Sequence, residues 1–372
     1  MDCPVDKMSL LLVDYPYRKK MNRFSRKECF LKLYPVSDRV ALEQAFVKVE
    51  RGTGEELVDV SDRGKVRPWA KKKVGSMKVA ELYKLAMNRG EELLTPSRYQ
   101  SLLQCGNSLL FGEQNGKKKL IKANFCRIRL CPMCNWRKSL KMFSQVSRIS
   151  EELLKEKSAT RFLFLTLTVK NVTGERLSET IDAMNKAFQY LFSENRNFAP
   201  AAVVKKNLLG YLRAMEVTYN SKSREYHPHL HILLAVKPAY FSRDYVPQSQ
   251  WREIWRKAMK LDYEPMVNVK AIKQVSAKVI AEVAKYPTKT EDITKIADEK
   301  QAIEALTTLH NALKSRRLVT FGGCFREIQR QLKLDDVESG DLVHVETEMK
   351  VSLNFVGYAL YSYRAEIGAY IC

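Results

Sequence analysis

Three of the chain's five histidines fall at every second position in YHPHLHILL, residues 226–234. Side chains alternate faces along a strand. His227, His229 and His231 therefore project from one side, and Pro228, Leu230, Ile232, Leu234 and Val236 from the other. The second set makes a core face, while the first places imidazoles close enough to share a metal ion. Residues 208–219 read as a partner strand across a polar turn at 220–225. A turn centred on Lys222-Ser223 puts Glu216 opposite His229, and directly opposed residues share a sheet face. Glu216 is the only acid in YLRAMEV. A carboxylate in so apolar a strand is costly unless paired or bound to metal. Two imidazoles and one carboxylate suit a divalent ion with open positions, Mn²⁺ or Mg²⁺; zinc also fits on ligand type alone. His227, nearest the turn, is a third candidate.

A second constellation is Cys105, Cys126, Cys131 and Cys134, spaced C-x20-C-x4-C-x2-C. Zinc prefers four soft ligands in a tetrahedron, and C-x2-C brings two thiolates together from one tight turn. Asn115-Gly116 signals a hairpin between the first two cysteines. That hairpin would join Cys105 and Cys126 at its open end and complete a closed, structural zinc site. The competing reading is four buried core thiols. Arg127, Arg129, Arg137, Lys138 and Lys141 surround the cluster, so a phosphate-gripping, DNA-binding module is expected.

The third is VIAEVAKYPTK, where Glu282 and Tyr286 lie i,i+4 on one face of a helix expected over 273–286 and ended by Pro287. Lys278, Lys285 and Lys289 lie along the same segment. A phenol one turn from a carboxylate, among lysines, can attack a phosphodiester with a bound metal polarising the phosphate. Alone, such a pair is an ordinary helical hydrogen-bonded pair; it gains force beside the histidine strand.

The elements that must position these groups alternate. A strand is read at 162–169, a helix at 178–192 and a short strand at 266–272. A helix at 303–313 and a last strand at 318–321 follow, with an earlier helix at 78–94. The pattern is α+β. The expected segments are a basic N-terminal region (1–95), a four-cysteine zinc-binding segment (96–160), a catalytic domain (161–325) and a C-terminal extension (326–372). A chain of 372 residues with 45% hydrophobic and 28% charged content is long enough to bury a sizeable core. Its net charge of +22 implies a polyanionic partner. No apolar run reaches the roughly 20 residues that span a bilayer. Nucleic acid is therefore the expected polyanion and the cytoplasm the expected location. There the eight cysteines stay reduced or bind metal.

FLTLTVKN (164–171), YHPHLHILL and EVAKYPTK, in that order, resemble the three motifs of rolling-circle plasmid replication initiators, members of the HUH endonuclease superfamily. His229-Leu230-His231 is the His-hydrophobic-His triplet. CRIRLCPMCNWRKS and FGGCFREI are similar to further segments of that family, and the likeness covers roughly residues 95–335. The resemblance implies an HUH-type antiparallel sheet with flanking helices and a catalytic Mn or Mg held by His229 and His231. It implies that Tyr286 joins the DNA 5′ end and leaves a 3′-OH primer. Where some relatives carry a second tyrosine this chain has Glu282, which can activate water; termination by strand transfer and Glu-assisted hydrolysis is expected. Pro287 departs from the pattern and restricts the backbone of Tyr286. Thr166 and Thr168 line the site at most. The implied partners are plasmid origin DNA, duplex and single-stranded, with host helicase and polymerase. A mobilisation relaxase or single-strand transposase shares the same chemistry. A zinc-dependent repressor would need neither the tyrosine nor the histidines.

Overall fold

The computed structural model describes residues 54–61, 64–114, 116–192, 201–272, 280, 290–345 and 355–372. Two antiparallel sheets organise them. Helix α1 (Trp69–Asn88) starts earlier than its apolar spacing predicts and takes in Lys71-Lys72-Lys73. Helix α2 (Pro96–Leu103) begins with proline at its first position, and the Thr95 hydroxyl caps it by accepting from the Arg98 N–H at 3.3 Å. Strands β1 (Ser108–Gln114) and β2 (Lys117–Ala123) form the expected hairpin. Gln114 pairs with Lys117 across a two-residue turn whose Gly116 has φ +69°.

Helix α3 (Pro132–Glu156), unforeseen as an element, again starts on a proline, directly after Cys131. Strand β3 (Arg161–Thr168) leads to helices α4 (Gly174–Phe192) and α5 (Ala202–Asn207). Strands β4 (Leu208–Asn220) and β5 (Glu225–Val236) form the histidine hairpin, followed by helix α6 (Gln248–Met259) and strand β6 (Val267–Ile272). A short helix α7 (Thr290–Ile293) precedes α8 (Glu299–Leu313), capped by Asp298 Oδ1, which accepts from Lys300 N at 2.9 Å. Strand β7 (Val319–Gly323) takes in Gly322 and Gly323 and leads into helix α9 (Cys324–Gln331). It is not the last strand: β8 (Gly357–Arg364) and β9 (Ala369–Ile371) follow.

The larger sheet has the order β6-β3-β5-β4-β7, the smaller β2-β1-β8-β9. The histidine strand is thus central in the larger sheet. Proline is normally excluded from such a strand because it lacks an N–H. Pro228 is tolerated because β3 ends at Thr168, opposite His229, and pairing resumes only at the Val172–Tyr226 bridge. Both faces of this sheet are covered. Leu230, Ile232 and Leu234 pack with α4, α6 and α8 through Ile181, Met184, Trp251, Trp255 and Leu306. Leu233, Ala235 and Leu212 pack under α3 and α9 through Met142, Val146, Phe325 and Ile328. Leu233 and Ala235 share the histidine face, so one end of that face is core and the other end carries His231, His229 and Glu216.

Candidate metal centres and nucleic-acid interface

The hairpin register places Glu216 against His229 and Ala214 against His231, as the turn at 222–223 requires. All three side chains are buried, and their ligand atoms lie within 4.8 Å of one another. His229 Nε2 is 3.1 Å and His231 Nε2 2.9 Å from the same oxygen, Glu216 Oε2. Donors about 2.1 Å from an octahedral ion sit about 3.0 Å apart on adjacent positions, so this spacing fits a divalent cation.

The tautomers agree. His229 Nδ1 lies 3.2 Å from the His227 carbonyl, which can only accept, so Nδ1 carries the proton. The Nε2 lone pair then faces a carboxylate oxygen, a repulsive contact unless a cation or proton lies between them. His231 Nδ1 meets Thr166 Oγ1 at 3.4 Å, and Phe164 stacks on the His231 ring at 5.6 Å. Thr166 and Phe164 thus hold the His231 ring, a role the sequence reading did not give them. Their alternation with Thr168 along β3 was the signal. His227 stands apart from the three: its Nδ1 pairs with Asn171 Oδ1 at 2.9 Å. Burial, then the neighbouring His229, lowers its pKa against the pull of Glu216.

The second centre is built by the β1–β2 hairpin and the start of α3. Gly106 N donates to Asn124 O at 2.7 Å, closing the hairpin's open end beside Cys105 and Cys126. Cys131 and Cys134 come from the first turn of α3. The four thiols are buried. The Cys105–Cys134, Cys131–Cys105 and Cys126–Cys134 sulfur separations are 3.6, 3.6 and 3.7 Å. Thiolates about 2.3 Å from a tetrahedral zinc lie about 3.8 Å apart, whereas a disulfide needs about 2.05 Å. Backbone N–H groups address the sulfurs: Arg127 N to Cys134 at 3.2 Å and Cys126 N to Cys105 at 3.4 Å. Burial alone would raise the Cys131 thiol. Hydrogen bonds from Cys105, Cys126, Cys134 and Ser76 outweigh it and hold Cys131 well below the ordinary thiol value. Four convergent sulfurs with N–H donors around them suit a closed zinc site with no position for water.

Residues 117–371 match the family described as "Replication protein". The chain belongs to this family. "Protein rep" of Streptococcus pneumoniae serotype 2 (strain D39 / NCTC 7466) is 40% identical over 299 residues, 78% of this chain and 88% of that protein. "Protein rep" of Lactiplantibacillus plantarum is 40% identical over 303 residues, 78% of this chain and 90% of its own length. "Replication protein" of Staphylococcus aureus is 40% identical over 215 residues, 55% of this chain and 88% of its own. No solved structure matches the chain. Membership supports a role in initiating plasmid replication.

In this replication protein the arginines near the cysteines are engaged by an acidic strap, residues 334–345. Arg137 is buried and donates from Nε to Leu342 O at 2.9 Å and from a terminal nitrogen to Val343 O at 2.8 Å. Arg129 pairs with Glu338 at 2.6 Å, Arg127 donates to Ser339 O, and Lys141 pairs with Asp335. Arg137 and Arg129 therefore tie the cysteine module to the C-terminal strap, and of the arginines expected to grip phosphate only Arg127 is exposed. Charge counting along the chain could not anticipate this, because the acids sit some 200 positions away. Glu282, Tyr286, Lys278, Lys285 and Lys289 lie outside the described residues. Among the described residues no helix is long and apolar enough to cross a membrane.

Proposed function

We propose that this replication protein is an HUH-type, metal-dependent endonuclease and strand transferase that starts rolling-circle replication of a plasmid. The observation that carries the reading is the convergence of His229 Nε2 and His231 Nε2 on one Glu216 oxygen, at 3.1 and 2.9 Å. Ile280, two positions before Glu282 and six before Tyr286 in the sequence, belongs to the same buried cluster as Leu233.

Glu216, His229 and His231 would hold Mn²⁺ or Mg²⁺, which supplies polarisation of the scissile phosphate when bound. Tyr286 Oη attacks the phosphorus at the origin and forms the bond to the DNA 5′ end. The departing 3′ oxygen takes up a proton and becomes the primer hydroxyl. Glu282 deprotonates a water that cleaves the regenerated origin phosphodiester, and the 3′-OH so released displaces Tyr286 from the 5′ end, which closes the displaced strand and ends the cycle. The four-cysteine zinc module and basic surfaces, including Lys278, Lys285 and Lys289, hold duplex and single-stranded origin DNA. Host helicase and polymerase extend the primer in the cytoplasm.

Cleavage of an end-labelled single-stranded origin oligonucleotide tests this. The parent is expected to cut with Mn²⁺ or Mg²⁺ and to stop in chelator. His229→Ala and His231→Ala should not cut, yet should bind duplex origin as the parent does, since binding comes mostly from basic surfaces. Cleavage by His231→Ala at the parent's rate would refute it.

A further inference from the structure

Strand β6 is the edge of the larger sheet, and it presents a row of side chains to the metal-binding face. Thr168 pairs with His229 and donates from Oγ1 to Met266 O at 2.8 Å; Asn268 pairs with Thr166, which pairs with His231; Lys270 pairs with Phe164. Opposed residues share a face, so Met266, Asn268 and Lys270 project alongside Thr168, Thr166 and Phe164, toward the side that carries His229, His231 and Glu216.

All three are exposed, and Met266, at 80%, is the most exposed large apolar side chain among the described residues. An apolar thioether so placed beside a polar centre needs a reason. Next to it, Lys170 Nζ sits 4.2 Å from the centre of the Tyr263 ring, and Lys170 N donates to Tyr263 Oη at 2.9 Å. The nearby acid Glu264 is neutralised by Arg252 at 3.1 Å. Lys270 makes no ion pair among the described residues.

We propose that Met266, Asn268 and Lys270, with Lys170 and Tyr263, form a track that holds an unpaired DNA strand against the metal centre. This deepens the reading of the site given above and rests on it. The soft sulfur and the Tyr263 ring offer surface to unstacked bases, which every base can use. Lys270 and Lys170 address the backbone phosphates on either side. Duplex DNA keeps its base faces stacked inside the helix and gains only the charge contacts. The track therefore selects melted over paired DNA.

The test uses the full chain carrying Tyr286→Phe, in chelator, so that nothing is cut. Anisotropy with a labelled oligothymidylate of roughly 15 nucleotides is compared with a duplex of the same length. Met266→Ser with Lys270→Gln is expected to weaken single-strand binding about tenfold or more and duplex binding distinctly less, because the duplex loses only the Lys270 charge contact. Lys270→Gln alone should lower the salt slope for the single strand by about 0.7, and Lys270→Arg should restore it. Unchanged single-strand affinity and slope would overturn the track. So would equal losses on both DNAs. Failure of the nuclease reading would appear separately, as absence of cleavage by the chain with Tyr286 intact, and leaves this comparison readable.

Discussion

Replacing Cys134 with serine tests the proposed zinc site where the four-cysteine cluster is most tightly built. Its sulfur lies 3.6 and 3.7 Å from those of Cys105 and Cys126 and accepts the Arg127 N–H at 3.2 Å. Structural zinc sites contribute about 10–16 kcal/mol in small modules. Shared over four thiolates, one ligand is worth about 3 kcal/mol. In a chain this large that lowers the melting temperature by roughly 4 °C. Loss of order should spread along α3, whose first turn supplies two ligands and whose Arg137 holds the strap through Leu342 and Val343. Thermal unfolding of parent and Cys134→Ser, each with its metal content measured, gives the answer. One zinc per parent chain, held more weakly by a variant that melts several degrees lower, is expected. A metal-free parent, or a variant with the parent's melting point, would refute the reasoning.

Glu216→Gln keeps shape but removes the charge that both imidazoles share; divalent-ion affinity, read by titrating cleavage against Mn²⁺, should fall by at least tenfold. Glu282→Ala should still nick, because phenol and metal ligands remain. It should leave the covalent adduct standing and accumulate over-replicated product, since water at neutral pH needs a positioned base; normal termination would move that role to another carboxylate. His310, half-buried on α8 with its Nδ1 2.8 Å from Tyr83 Oη of α1, has its pKa lowered by burial and then by Lys314. The unfolded chain then binds the proton first, so stability is full above about pH 6.5 and falls as pH drops toward the folded-state pKa. Melting temperatures across that window should slope, and His310→Gln should flatten the slope.

Local pattern carried much of the site into the sequence. A period of two with a polar turn at 220–225, centred on Lys222-Ser223, set the hairpin register and hence the Glu216–His229 pair. Asn115-Gly116 between two cysteines fixed how the thiols meet. What stayed illegible was non-local. Strand β8 pairs with β1 from about 250 positions away. The strap at 334–345 claims Arg129, Arg137 and Lys141 through contacts that no window of sequence contains. Helix α3 was missed although Pro132 marks its start, because the segment was read only for its cysteines and basic residues and no element was assigned to it. The sequence reading placed His227, His229 and His231 on one face and did not follow that face further; it turns into core at Leu233, where α3 and α9 pack upon it.

The nucleophile is the central claim, and its adduct tests it most directly. The protein is incubated with a single-stranded origin oligonucleotide and Mn²⁺, digested, and the DNA-linked peptide sequenced by mass spectrometry. A 5′-phosphate ester on Tyr286, absent from Tyr286→Phe and from chelated samples, is the predicted result. An adduct on any other residue, or cleavage with no adduct at all, would contradict it.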